Sequence, residues 1–291
     1  MTQVEAKMVG KTCLITGATS GIGKAATMGL AKMGATIVMV TRNQAKGEAV
    51  LDEVKQLSGN NSLFLLCADL SSQESIRKLA DDFKARFKQL HVLVNDAGVF
   101  LTKHTKTVDG IETTLAVNYL SVFLLTNLLL DVLKSSAPSR IVNVASATEG
   151  GGKINFDDLN GDKKFSGWAA YSNSKLALLM FTYALARRLE GTRVTVNALH
   201  PGAIRTNLGH GNTGLQGWGF SLAKLFFASP DKGARTVIYL ASSHDVENIS
   251  GEYFASCRPI SSSRRSYDEV SQKRLWQVSE ELTGLSLPAH V

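Results

Sequence analysis

The stretch Thr16-Gly17-Ala18-Thr19-Ser20-Gly21-Ile22-Gly23 directly follows the apolar run Thr12-Cys13-Leu14-Ile15 and opens a helical pattern. A strand-to-helix corner built this way constrains the fold more than any other feature of the chain. Glycines let the backbone turn tightly there and let a diphosphate approach the first helical turn, where unpaired N–H groups and the helix dipole favour anions. The G-x-x-x-G-x-G spacing differs from the commoner G-x-G-x-x-G, and a tight turn without a ligand is the competing reading. The strand before it and the helix after it favour a dinucleotide site.

The same alternation continues along the chain. Strand-like runs lie near residues 12–16, 35–41, 62–67, 92–95, 140–145, 193–199 and 252–255. Helical patterns cover 22–32, 44–57, 73–87, 111–134, 168–188, 232–241 and 267–282. Near-continuous apolar strands alternating with helices imply a parallel sheet covered on both faces, joined by right-handed crossovers. At 291 residues one domain spanning 1–291 is expected. Residues 10–150 would mainly bind a coenzyme, 151–255 would carry the catalytic groups and substrate loop, and 256–291 would form a C-terminal extension with a helix. Residues 202–219, rich in glycine and polar side chains, read either as a lid over a cleft or as an exposed connector before a short helical run at 221–228.

Composition narrows the function classes. A hydrophobic fraction of 44% with 20% charged residues is that of an ordinary globule. The net charge of +7 is spread along the chain rather than gathered in a stripe, which argues against nucleic acid. Cys13, Cys67 and Cys257 lie far apart, without a C-x-x-C pair, which argues against a disulfide framework or a metal site. The longest apolar stretch, 120–130, is too short and too interrupted to span a bilayer, so a cytoplasmic protein without a transmembrane segment is expected.

Several residues carry candidate chemistry. Arg42 ends the second strand, about 20 residues after the glycine turn, where an acidic side chain would bind the 2′-hydroxyl of NAD and an arginine the 2′-phosphate of NADP. Lys24 and Lys46 either extend that positive field or are solvated surface lysines. Asp69 either accepts from an adenine amino group, with Leu70 beside it, or caps a helix. Tyr171 and Lys175, four apart, share one helix face. A nearby cation, together with an oxidised nicotinamide, would lower the phenol pKa from about 10 toward working pH. Ser146 falls at the C-terminal edge of the sheet, where a hydroxyl can hold a carbonyl oxygen. Asn118, a poor helix former among apolar residues, either distorts its helix and holds a water relaying protons to Lys175, or is a locally satisfied core amide.

Taken together, Thr16-Gly17-x-x-x-Gly21-Ile22-Gly23, Asn95-Asp96-Ala97-Gly98, Asn118, Ser146, Tyr171-x-x-x-Lys175 and Pro201-Gly202 resemble the short-chain dehydrogenase/reductase superfamily over nearly the whole chain. Residues 152–159 and 197–202, with a long Ser146 to Tyr171 interval, resemble its retinol dehydrogenase and WW-domain oxidoreductase branch. The resemblance implies a doubly wound α/β Rossmann fold with a seven-stranded parallel sheet. It implies NADP(H) as coenzyme, a catalytic tetrad of Asn118, Ser146, Tyr171 and Lys175, and no metal. Coenzyme contacts would come from Gly17, Thr19, Ser20, Gly21, Ile22, Gly23, Arg42, Asp69, Leu70, Asn95, Ala97, Gly98, Tyr171, Lys175, Pro201, Gly202 and Thr206. His200 is read as packed rather than catalytic. Relatives commonly dimerise through the helices here at 111–134 and 168–188, so a homodimer is an open expectation.

The implied activity is interconversion of a lipophilic aldehyde or ketone and its alcohol, in a cleft lined by Phe100, Leu101, Trp168 and residues 208–220. A redox sensor without turnover, or an epimerase or dehydratase, are the alternatives. Two positions depart from the pattern: Asp96 replaces a usual asparagine and loses an amide donor, and Ala145 replaces a common serine. The apolar anchor that many retinol dehydrogenases carry before the glycine motif is absent, which favours a soluble enzyme and leaves a retinoid substrate open.

Overall fold

A computed structural model describes residues 8–202 and 229–285. Seven apolar runs form parallel strands: β1 (Thr12–Ile15), β2 (Thr36–Thr41), β3 (Leu63–Cys67), β4 (Val92–Asn95), β5 (Ser139–Val144), β6 (Val194–Leu199) and β7 (Tyr253–Ala255). They lie in the order β3-β2-β1-β4-β5-β6-β7, which reverses direction at β1, between β2 and β4. Doubly wound sheets open a crevice at such a switch point, beyond the C-terminal ends of the strands.

Among the described residues the sheet has eight strands rather than the expected seven. Ser256 and Cys257 turn the chain with positive φ (49° and 62°), and β8 (Arg258–Ile260) returns antiparallel to β7. Turns of this handedness usually advertise themselves by glycine or asparagine. Here neither is present, and the three exposed residues of β8 carry no apolar alternation.

The helices connecting the strands are α1 (Gly21–Lys32), α2 (Gln44–Ser58), α3 (Gln73–Arg86), α4 (Thr113–Leu115), α5 (Ser121–Leu128), α6 (Leu130–Ser135), α7 (Gly167–Arg188) and α8 (Pro230–Ser242). A final helix, α9, spans Glu269–Thr283. Local chemistry sets their ends: Asn43 accepts the Lys46 amide at the start of α2, and Gly59 closes it with φ of 71°. Side chains alternate between the two layers. Leu14 joins Val38, Phe83, Leu93, Phe123 and Phe181 on one face, while Cys13 and Ile15 join Leu30, Met39, Val94 and Val237 on the other.

The helix expected over 111–134 is broken. Ala116–Leu120, between α4 and α5, is a π segment. Such a bulge inserts a residue into the helical ladder and often marks a functional site. Asn118 lies at its centre, as its poor helix propensity anticipated.

α9 packs against α7 and, through Trp276, against α5, the helices where the resemblance put a dimer contact. Trp276 stacks on Phe181 with centroids 5.6 Å apart and meets Phe123 edge-on at 5.1 Å. The Arg188 guanidinium lies 3.9 Å above the same indole, and the Tyr119 and Ser279 hydroxyls hydrogen-bond at 2.6 Å. Gln73 and Arg77 on α3 then donate to the carbonyls of Leu282 and Thr283. Thr206, the expected lid beyond Gly202 and the expected helix at 221–228 lie outside the described residues.

Candidate active site

Two adjoining clefts run along the crevice and share Gly17, Ala97 and Gly98. One is lined by Ser20, Gly21, Ile22, Asp96, Ser146, Tyr171, Lys175, Pro201 and Gly202. The other takes in Thr19, Thr41, Arg42, Asp69 and Leu70. Most of the site residues expected from the sequence thus line these two clefts, while Gly23, Asn95 and Asn118 do not.

The groove fits a dinucleotide at its glycine turn. Gly17 and Gly21 hold φ of 70° and 54°, a region that L side chains rarely adopt. A Cβ on Gly17 would stand 2.9 Å from the Ala97 amide nitrogen, and one on Gly23 would stand 2.4 Å from the Gly17 carbonyl oxygen. Ser20 caps α1 without a side-chain hydrogen bond, so its hydroxyl does not occupy the first-turn amides. The Thr16 hydroxyl on the strand side accepts the amides of Asp96 and Ala97, clamping the two crevice walls together.

The catalytic end is assembled by β5 and α7. Ser146 follows β5 and begins a short 3-10 turn, Ala147–Gly151. One helical turn apart, Tyr171 and Lys175 face it; the ammonium donates to the Val144 carbonyl at 2.9 Å and lies 5.7 Å from the phenol ring centroid. Burial pulls the Lys175 pKa down to about 8, against the opposing pull of the Asp96 carboxylate. The Tyr171 phenol is shifted in the opposite direction. Burial raises its pKa, a hydrogen bond with Ser146 opposes the rise, and the Asp96 charge adds to it. In the protein alone the phenol is therefore held protonated rather than acidified.

The Asn118 amide is held by the protein's own groups. Its Oδ1 accepts the Val99 amide at 2.7 Å, and its Nδ2 donates to the Val99 carbonyl and to Ser174 Oγ. The amide thereby pins the π segment to the residues after β4 and to the helix carrying Tyr171. Asn95, expected among the coenzyme contacts, turns away from the groove. Its Nδ2 donates to Asn143 Oδ1 at 2.9 Å, and Asn143 donates onward to Thr182, so this amide ladder links β4, β5 and α7 inside the core.

Asp96 lines the cleft beside that ladder, and its carboxylate accepts the Gly23 amide. Burial pushes its carboxyl up to about 7, while Lys175 and the Gly23 hydrogen bond pull the other way. Asp69 is not a helix cap, since Ser72 caps α3; its carboxylate holds the amide and hydroxyl of Ser71. Lys24 pairs with Glu53 at 2.7 Å, so a carboxylate already neutralises part of the field it was expected to add. His200 accepts the Gly202 amide through Nδ1 and packs against Tyr253, as a structural residue does. Phe100 meets the Tyr171 ring edge-on at 5.6 Å, forming an apolar wall, whereas Trp168 is 57% exposed.

Sequence reasoning missed the support beneath Ser146. Glu149 is buried, and its two carboxylate oxygens accept the amide and hydroxyl of Ser263 at 3.0 and 2.6 Å. Arg265 also donates to the Gly152 carbonyl at the end of the same turn. Only the run of three serines at 261–263 marked this segment, and nothing in it named a distant partner.

A strand-switch crevice with a glycine turn at one end and a serine, tyrosine and lysine at the other defines a nicotinamide-dependent oxidoreductase. The chain belongs to the short-chain dehydrogenase family, whose model matches residues 11–216. It is 44% identical to retinol dehydrogenase 14 of Homo sapiens, over 96% of this chain and 88% of that one. It is 43% identical to retinol dehydrogenase 12 of Mus musculus, over 95% and 87%. Among solved structures, an uncharacterised protein from Mycobacterium paratuberculosis superposes with a TM-score of 0.77 at 34% identity, covering 96% of both chains. The RhlG/NADP active-site complex of Pseudomonas aeruginosa superposes with a TM-score of 0.67 at 26% identity, covering 87% of this chain and 96% of that one. Enzymes of this kind act on alcohol and carbonyl groups with a nicotinamide coenzyme. Among the described residues no helix is long and apolar enough to cross a membrane.

Proposed function

We propose that this chain is an NADP(H)-dependent oxidoreductase that interconverts a lipophilic aldehyde or ketone and the corresponding alcohol. The observation that carries the reading is the convergence of Ser146, Tyr171 and Lys175 on the same cleft as the Gly17–Gly21 turn. Arg42 supports NADP over NAD, because it lines the far end of the groove beside Asp69 and Leu70, where a 2′-phosphate would find a guanidinium rather than a carboxylate. Names of relatives agree with an alcohol or retinoid-like substrate, and Phe100 beside Tyr171 gives the reacting end an apolar wall.

When bound, the nicotinamide supplies or accepts the hydride. The residues of this chain do the rest. Backbone amides at the start of α1 receive the diphosphate, and Lys175 holds the nicotinamide ribose. Ser146 donates to the carbonyl oxygen and orients it. Tyr171 delivers its phenolic proton to that oxygen as charge develops there, and takes a proton back in the oxidative direction. A buried, protonated phenol suits the reductive role near neutral pH, and the Lys175 ammonium, 5.7 Å from the ring centroid, would be the cation facing the phenolate left behind.

The test is loss of NADPH absorbance with a panel of apolar aldehydes and ketones, retinal among them. Turnover that favours NADPH over NADH supports the reading. Tight coenzyme binding with no turnover on any member of the panel would replace it with a sensor.

A further inference from the structure

Ser146 has one hydroxyl proton and two acceptor positions. Both acceptor positions are occupied by a single neighbour: the Thr148 amide donates to Ser146 Oγ at 3.3 Å, and the Thr148 hydroxyl donates to it at 3.1 Å. With both lone pairs engaged from the turn side, the serine proton has one direction left, outward into the cleft, and the group it meets there is the Tyr171 hydroxyl. We propose that Thr148 is a positioning residue that fixes Ser146 as a donor toward the reacting oxygen. This deepens the carbonyl reductase reading and rests on it.

The geometry of the turn supports the role. The amide contact alone is the ordinary cap of a short 3-10 turn, which any residue at 148 would make. The hydroxyl contact belongs to this side chain. The turn is also held from beneath, by Glu149 on Ser263 and by Arg265 on Gly152, so Thr148 sits on an anchored base. A carbonyl oxygen offers only lone pairs, as does the alkoxide-like oxygen that develops during reduction. A serine that can only donate is matched to both. Without the Thr148 hydroxyl, one acceptor position of Ser146 opens, and its proton is free to rotate away from the cleft.

The experiment compares wild type with Thr148→Val, Thr148→Ala, Thr148→Ser, Ser146→Ala and the Ser146→Ala/Thr148→Val double variant. With NADPH and the best carbonyl substrate, the Val and Ala variants should lose kcat by about five- to tenfold, the scale of one hydrogen bond, at unchanged KM for NADPH. Thr148→Ser should retain wild-type kcat. In the Ser146→Ala background, Thr148→Val should cost nothing further. A second readout needs no turnover: the phenol titration of Tyr171, taken as the 295 nm absorbance difference between each variant and its Tyr171→Phe counterpart. Thr148→Val and Ser146→Ala should both move that titration upward, and Thr148→Ser should not. An unchanged titration in Thr148→Val overturns the proposal. So does an equal loss of kcat with and without Ser146. A chain that reduces no carbonyl compound, yet shows the titration shifts, would sink the substrate reading and leave the serine–threonine relation standing.

Discussion

The Asp96 carboxylate accepts the amide of Gly23, so the helix terminus expected to receive the coenzyme diphosphate already faces an anion. Burial holds the Asp96 carboxyl near 7, well above the value of about 4 it takes in an unfolded chain. A folded-state value above the unfolded one means the folded protein binds more protons. Stability therefore falls as pH rises from about 4 to about 7 and stays lower beyond. Asp96→Asn should leave stability nearly unchanged at the acid end and raise it on the order of 2 kcal/mol above about pH 7. Urea denaturation at the two ends of that window checks the sign. The same variant should tighten NADPH binding severalfold above about pH 7, where the carboxylate repels the diphosphate. Equal affinity of the two proteins across the window would sink that idea.

Lys175 has a pKa of about 8, sustained by Asp96 against burial. Activity that requires the ammonium should decline through that region on its alkaline side. Asp96→Asn removes the supporting charge, so the alkaline limb of the kcat profile should move to lower pH. A limb that stays in place would mean another group controls it.

Tyr171→Phe removes the phenolic proton while keeping the ring that packs against Phe100. Turnover should fall by about 10²- to 10⁴-fold, the usual contribution of a positioned general acid. Coenzyme affinity, read by fluorescence quenching, should change little.

Arg42→Ala should raise the KM for NADPH by about ten- to a hundredfold, the scale of hydrogen bonds to a charged group, and leave NADH almost unaffected. Comparable losses for both coenzymes would remove the guanidinium from the 2′-phosphate site.

Trp276 is buried against Phe123, Phe181 and Arg188 on the face where a dimer contact was anticipated. Trp276→Ala should cost about 3–5 kcal/mol of stability, as large-to-small changes in aromatic cores do. Light scattering on the intact protein should report a monomer, or an assembly through some other face. A dimer that protects α5 and α7 from hydrogen exchange only at high protein concentration would contradict this.

Much of the fold was legible because the strands are nearly continuous apolar runs that alternate with amphipathic helical patterns. The groove was legible because Gly17, Tyr171, Lys175 and Ser146 have functions tied to fixed spacings. What escaped the sequence depends on contacts between distant segments. Asn95 has the right type for a coenzyme contact, yet its partner Asn143, itself bonded to Thr182, lies 48 positions away and turns it into the core. The Asn118 π segment was foreseeable as a disturbance, but not the Val99 backbone that it grips. The phenol of Tyr171 was expected to be acidified by Lys175 together with an oxidised nicotinamide; in the protein alone the first influence on it is enclosure, which periodicity does not report. β8 and Thr148 left no pattern at all.

The bond between Glu149 and Ser263 has a bearing on how the molecule matures. A nascent chain that had emerged only as far as Ile260 would already possess every strand found among the described residues and each of the four candidate catalytic groups. It would still lack the two donors that hold the loop after Ser146 from below. The support under the Ser146 turn is thus completed only once residue 263 has emerged, after the sheet rather than with it.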